Sequence, residues 1–429
     1  MFVKKILLLL ALLCGKAYFL MAVDLPRVIE NRVYSENIHT VEMYRAGWKL
    51  SNPILTLNAD EQLLFSFDDL NVEKTDYYYT IYHCNRNWEL SSMSQHEYLG
   101  AFVDFPLDDY AYSQNTNIHY INYMLALPNN DVPLTLSGNY VLLVYDRQQP
   151  DAPVITWRFY VLEPQVKINA RITRPVGDGM RGENQQIDFV IDHGSFSIND
   201  AYSDVKVVVT QNNRTDNAIT DLKPVYVSPG KLEYEHVTGN IFKGENEFRA
   251  FEIRNIRYNG EGVESLRYIA PLYHATLLRH IPRVQQQYNY YEEMNGNFFI
   301  EAFNKREPEI EADYMMVHFT LDITQPLLGG DIYVFGKLSD WQCNSQNRMS
   351  YNLDARQYEH SMLLKQGYYN FIYAYKDEIS GEIKSYNLEG SHFQTENDYS
   401  IYMYYGRLND RYDRLVGYQR FNSHRNRSF

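Results

Sequence analysis

Almost no stretch of this chain repeats apolar residues at helical spacing; short runs alternate apolar and polar residues instead, with Gly, Pro, Asn and Asp between them. A period of two puts every other side chain on one face of a strand, and turn signals every 8–12 residues or about that fold such strands into sandwiches. The chain is therefore expected to be all-β. At 429 residues it exceeds one ordinary β-domain, and about 150 residues per domain gives roughly three.

Residues 52–57, 62–67, 77–83, 120–125, 139–145 and 156–161 read as strands of a first unit. Glu163-Pro164 marks its end, because the residue before proline is pushed into extended geometry. A second unit takes its strands from 166–172, 186–191, 205–210, 231–236 and 247–256. Periodicity fades over 261–312, read as extended connectors, and Glu307-Pro308-Glu309-Ile310-Glu311 reads as a short acidic hinge. Strands at 314–321, 331–335, 358–364, 368–375, 383–386 and 399–404 make a third unit, and 424–429 reads as a frayed tail. The expectation is three tandem immunoglobulin-like β-sandwich domains after a cleaved signal peptide. The boundaries are 1–22 for the signal peptide, 23–163 for the N-terminal sandwich, 164–300 for the middle sandwich plus connector, and 301–429 for the C-terminal immunoglobulin-like sandwich.

The export signal rests on Lys4 and Lys5 followed by an apolar run from Ile6 to Cys14, too short to span a bilayer. Cleavage after Ala17 and after Ala22 both fit, and Cys14 raises a lipid-anchored alternative that the preceding Leu13 disfavours. The mature chain then keeps only Cys84 and Cys343, which excludes a disulfide-rich scaffold; a bridge between them would staple the first and last domains, and two separate buried thiols are the favoured reading. A formal charge of -14 argues against nucleic acid or an anionic membrane as partner, and no membrane insertion is expected. The 39 tyrosines exceed what a core needs; strand propensity and an interface role account for them equally well.

No Gly-x-Ser-x-Gly elbow, phosphate-cradling glycine loop or His-Glu-x-x-His is present, and the chain offers little helix on which to mount one. His83-Cys84 lacks further ligands nearby and reads as a buried thiol beside a strand-end histidine. The doublets Asp68-Asp69 and Asp108-Asp109 read as solvated turn acids, since adjacent residues on a strand point apart and cannot form a facing catalytic pair. No catalytic residue, cofactor or metal site is expected, and the chain reads as no enzyme.

The run from Asp331 to Trp341 alternates, turns at Gly336 and closes on a tryptophan, a spacing similar to immunoglobulin-like glycogen-binding modules. Those modules add a lysine on a later strand and a second exposed tryptophan. Here Ile372 stands at the lysine's place, no tryptophan follows Trp341, and Asn397 alone survives. Trp341 is accordingly expected to be a buried core residue, and a periplasmic or surface carbohydrate-binding protein is kept as the alternative function.

Taken together, several unusual peptides resemble the type IX secretion system plug protein family of the Bacteroidota. They are Glu30-Asn31-Arg32-Val33-Tyr34 with Ile38 to Val41, the run from Tyr79 to Trp88, Val141 to Asp146, Asp313-Tyr314 with Val317 to Leu321, Phe335-Gly336 to Trp341, and Gln394 to Tyr399. Trp88, Gly336, Trp341, Asn397 and Tyr399 are its fold-signature positions in this chain. The resemblance implies a non-enzymatic periplasmic protein at the inner face of the outer membrane. It would dock on the translocon β-barrel and close its periplasmic mouth while no cargo passes. No residue of that interface can be carried over.

Overall fold

The computed structural model describes residues 25–71, 73–100, 102–175, 181–235 and 238–424, so the expected signal peptide with Cys14, and most of the expected tail, lie outside the described residues. Nearly all regular structure is β, arranged as paired sheets around three principal cores.

In the first lobe Tyr77–Cys84, Gly138–Asp146 and Pro153–Leu162 form the centre of one sheet, faced by a second sheet of Ile38–Arg45, Leu63–Asp69, Ile121–Leu127 and Tyr110–Tyr112. Phe65, Phe67, Tyr79, Tyr123, Tyr140, Leu142 and Trp157 fill the space between them. Lys167–Thr173, Asn184–Asp192, Lys231–Tyr234 and Tyr226–Ser228 form one sheet of the middle lobe. Its other sheet is Val205–Gln211, Asp398–Tyr405 and Arg414–Asn422. The third lobe sets Gly367–Asp377 and its neighbours Arg249–Glu252, Phe298–Ile300 and Gly330–Phe335 against a sheet running from Val263–Ile269 to Ser350–Asn352.

The cores cut across the expected order along the chain. Val205–Gln211 pairs antiparallel with Asp398–Tyr405, from Val205 opposite Tyr405 to Gln211 opposite Tyr399, so the chain's last strands complete the middle core rather than the third. Conversely, residues 249–300 belong to the third core, through Phe251, Ile253, Val263, Ala275, Leu277 and Ile300. Residues 261–312 are not connectors throughout: Val263–Ile269 and Leu272–Leu277 form a hairpin, and Pro308–Glu311 in the expected hinge is a short helix. Alternation reports that a strand exists and which face is apolar, but not which sheet it joins.

Candidate functional site

The stretch from Gly330–Phe335 to Trp341 lies where the three lobes meet. Phe335 stands opposite Ile372 on the neighbouring strand, and both lie in a small core with Phe248, Trp341 and Ala374. Gly336 is extended; what it supplies is closeness, since a Cβ there would meet the Asn370 carbonyl at 2.9 Å. The chain then turns back through Asp340 and Trp341, both at positive φ, 49° and 58°. A left-handed tryptophan is strained, and it persists here because its surroundings fix it. Its N–H donates to the Gly336 carbonyl at 3.0 Å, and its ring packs edge-on against Phe335 and Phe248. A Cβ on Gly296 would collide with that ring. At 7% exposure Trp341 is a core residue.

From this corner, side chains reach into the other lobes. The Lys337 ammonium sits 4.6 Å over the ring of Trp157 in the first lobe, and Arg214 of the middle lobe covers the Phe335 and Trp341 rings at 5.1 and 5.8 Å. Arg214 is 1% exposed and donates to Glu245 at 2.8 Å and Asp216 at 2.7 Å. Burial alone would disfavour its charge; the two carboxylates outweigh that and raise its pKa.

Between the first and third lobes the joint is a buried ion pair. Lys365 Nζ donates to Asp68 Oδ2 at 2.6 Å and to the Glu309 carbonyl at 2.6 Å, beneath the Tyr120 ring at 4.2 Å. Asp68 also accepts from Asn122 at 2.8 Å and from the Tyr314 hydroxyl at 2.6 Å. The reading of Asp68-Asp69 as solvated turn acids is thereby corrected, for both are 0% exposed. Asp69 accepts from Tyr77, Thr75 and the Asn71 N–H, so both carboxylates trade solvent for fixed donors.

The first and middle lobes meet through Tyr160 stacked on Tyr402 at 4.7 Å, Tyr404 donating to Asn139 at 2.8 Å, and Asn52 donating to Ser400 and Tyr418. Arg414 adds a two-pronged pair with Glu163. Middle and third lobes are tied again by Asn246, which donates to the Glu389 carbonyl at 2.7 Å. Burial would raise the Glu389 carboxyl, but Arg249 and Arg283 outweigh it and hold it at about 2.

All three lobes border one cavity of about 110 Å³, lined among others by Glu42, Asn52, Trp157, Thr210, Phe298 and Trp341. That volume matches a few bridging waters at about 30 Å³ each rather than an organic ligand, which takes about 300 Å³ or more. Asn52 Oδ1 and Thr210 Oγ1 are buried there without a protein partner. Burial pushes the Glu42 carboxyl up to about 7, although Lys49 and Lys365 pull the other way.

The other signature positions are structural too. Trp88 is buried under the Arg158 guanidinium at 4.4 Å. Asn397 and Tyr399 sit in an amide network with Gln185, Gln211 and Asn212 in the middle lobe, not beside Trp341 on a sugar platform. His83 bonds Ser91 and the Ser137 carbonyl, and burial takes it down to about 4; burial pushes the Cys84 thiol up to about 12. Cys84 and Cys343 are both free. What sequence reasoning missed are the joint residues Asp68, Arg214, Lys365 and Glu389, whose partners are brought to them only by the fold. This arrangement fixes lobes in place; its charged groups are occupied with one another.

Residues 38–163 match the family model described as the type 9 secretion system plug protein 1st domain. Among solved structures, the crystal structure of a hypothetical protein from Parabacteroides merdae ATCC 43184 aligns with a TM-score of 0.89 at 37% identity, over 91% of this chain and 98% of that one. The alkylpurine DNA glycosylase AlkC of Pseudomonas fluorescens aligns over 29% of this chain and 30% of its own at 14% identity and a TM-score of 0.18, which carries no argument. Among curated proteins none matches.

Proposed function

Because the chain belongs to the type 9 secretion system plug protein family, and so has a role related to type IX secretion, we propose that it is a non-enzymatic periplasmic component that docks on the outer-membrane translocon barrel and seals its periplasmic end. A pore that passes folded cargo leaks unless something rigid closes it between transport events. The observation that carries this reading is the docking of three lobes into one body: the buried Lys365–Asp68 ion pair joins the first and third, Arg214 laid over the Phe335 and Trp341 rings joins the middle and third, and Tyr160 stacked on Tyr402 joins the first and middle. Separate sandwiches on flexible linkers would part under the load that a seal bears; lobes joined by a desolvated ion pair and by buried cation–ring and ring–ring contacts resist, because opening a joint strands a charge or exposes apolar rings. The net charge of -14 calls for a basic or polar rim on the barrel. No helix of the described residues is long and apolar enough to cross a membrane.

Affinity purification of a tagged translocon barrel from membranes tests this. The chain is expected in the fraction of barrels that hold no cargo. Its absence from every cargo-free preparation would sink the reading.

A further inference from the structure

The third lobe has a free end. Its strands Tyr314–Asp322 and Gln357–Lys365 run antiparallel, with Tyr314 opposite Lys365 at the joint to the first lobe and Asp322 opposite Gln357 at the far end. Asn352 also stands opposite Gln357, and Gly330 opposite Asp377, so loops 323–329, 353–356 and 378–382 all leave from that far end. Hydrogen bonds hold them side by side. The Leu327 N–H donates to the Tyr358 hydroxyl at 2.8 Å, Tyr375 donates to the Leu328 carbonyl at 3.0 Å, and the Glu378 N–H donates to the Gly329 carbonyl at 2.9 Å.

Each loop carries an aliphatic side chain at its tip. Among the described residues, the large apolar side chains more than three-quarters exposed are Leu328 at 88%, Leu353 at 77%, Ile379 at 96% and Leu408 at 99%, and all but Leu408 lie at this end. A single exposed leucine is ordinary on a protein surface. Three on neighbouring loops, with strands about 5 Å and sheets about 10 Å apart beneath them, form one patch. From Ile323 to Gly330 the first of these loops has no charged residue.

Shape, backbone and charge together say what covers the patch. A protein groove would have to receive three knobs from three separate turns, whereas the fluid boundary between lipid headgroups and acyl chains accepts knobs of any spacing. Main-chain groups lose water there, and the turns supply partners in advance. Asn352 Oδ1 accepts from the Asp354 and Ala355 N–H groups at 3.1 and 3.0 Å, and Asp377 Oδ1 from those of Ile379 and Ser380 at 3.1 and 2.8 Å. Around the tips Arg356, Lys376 and Lys384 stand with Asp354, Asp377, Glu378 and Glu382, and Lys384 pairs with Asp377 and Glu382, so neither sign prevails. With the whole chain at -14, that balance fits a zwitterionic headgroup layer and not an anionic one.

We propose that this end of the third lobe docks on a zwitterionic phospholipid surface, with Leu328, Leu353 and Ile379 dipping into the headgroup–acyl boundary and no segment crossing it. This departs from the sequence-based expectation that no part of the chain enters a membrane, because exposure at a loop tip is set by the fold. It goes beyond the sealing reading and does not rest on it.

The test is flotation of the full mature chain with vesicles of phosphatidylcholine and phosphatidylethanolamine, without any barrel. The wild-type chain should float with the vesicles, and its partition coefficient should fall at least tenfold in Leu328→Ser/Leu353→Ser/Ile379→Ser, with an unchanged melting temperature showing that the variant is folded. Brominated acyl chains should quench the added fluorescence of Ile379→Trp, over the wild-type background, and leave that of Leu408→Trp in the middle lobe unquenched. A wild-type chain that stays in solution, or a triple variant that floats as well as wild type, would overturn the proposal and leave the sealing reading untouched. Loss of barrel recovery by the triple variant, with no vesicle binding by wild type, would overturn it in favour of a protein pocket for these tips.

Discussion

Replacing Lys365 with Met removes one ammonium and nearly preserves shape, and it isolates what the joint between the first and third lobes contributes. Lys365 is 1% exposed and Asp68 0%, so the carboxylate left behind cannot be rehydrated without opening the joint. It keeps the Asn122 and Tyr314 hydrogen bonds but loses its counter-charge, and the Glu309 carbonyl loses its donor. Breaking such a pair on one side costs about 3 to 5 kcal/mol. At a urea m-value of about 3 kcal/mol/M the unfolding midpoint falls by about 1 to 1.7 M. Asp68→Asn/Lys365→Met strands no charge, so it should recover at least about 2 kcal/mol of that loss, and the double-mutant cycle reads the coupling directly. Urea titration followed by tryptophan fluorescence, with X-ray scattering below the midpoint, shows whether the lobes part before they unfold. A Lys365→Met midpoint within about 0.3 M of wild type would refute the reasoning, since it would mean that Asp68 was never held by this amine.

Trp341→Ala should cost about 3 to 5 kcal/mol, because the ring fills the space between Phe335, Phe248 and Gly296; thermal unfolding measures it, and a tolerant variant would contradict the core reading. Glu42 is an acid whose folded pKa, about 7, lies above its unfolded value near 4.5, so the folded state holds the extra proton and stability falls as pH rises from about 4.5 to 7. Glu42→Gln should therefore stabilise the protein above pH 7 by about 1 to 2 kcal/mol, a shift discounted for residual solvent contact, and lose that advantage below about pH 4.5. Glu389 has the opposite sign: its folded value of about 2 lies below the unfolded 4.5, so its stabilisation is complete above about 4.5 and is lost as pH falls toward 2. Acid unfolding of Glu389→Gln should accordingly be flatter across that window, and an unchanged pH dependence would count against the pairing with Arg249 and Arg283.

The strands with one buried face were legible. Tyr314–Asp322 alternates from Met315 onward and lies in the structure as expected, and the spacing from Phe335 to Trp341 identified a core tryptophan. The hairpin of Val263–Ile269 and Leu272–Leu277 was not, since much of its surface meets solvent and no period in apolar residues survives. Nor could the last strands be assigned to the middle lobe: Tyr399, Ile401, Met403 and Tyr405 show which face is apolar, while Val205–Gln211, their partner strand, lies nearly two hundred residues earlier. The joints were hidden for a related reason. Asp68 and Lys365 are 297 positions apart, and an aspartate doublet next to a turn is far more often solvated than paired.

The sealing claim is tested most directly by conductance of the purified translocon barrel in a planar bilayer, before and after the mature chain is added to the periplasmic side. The account predicts that open-barrel conductance falls to near background. Conductance unchanged by saturating wild-type protein would contradict it.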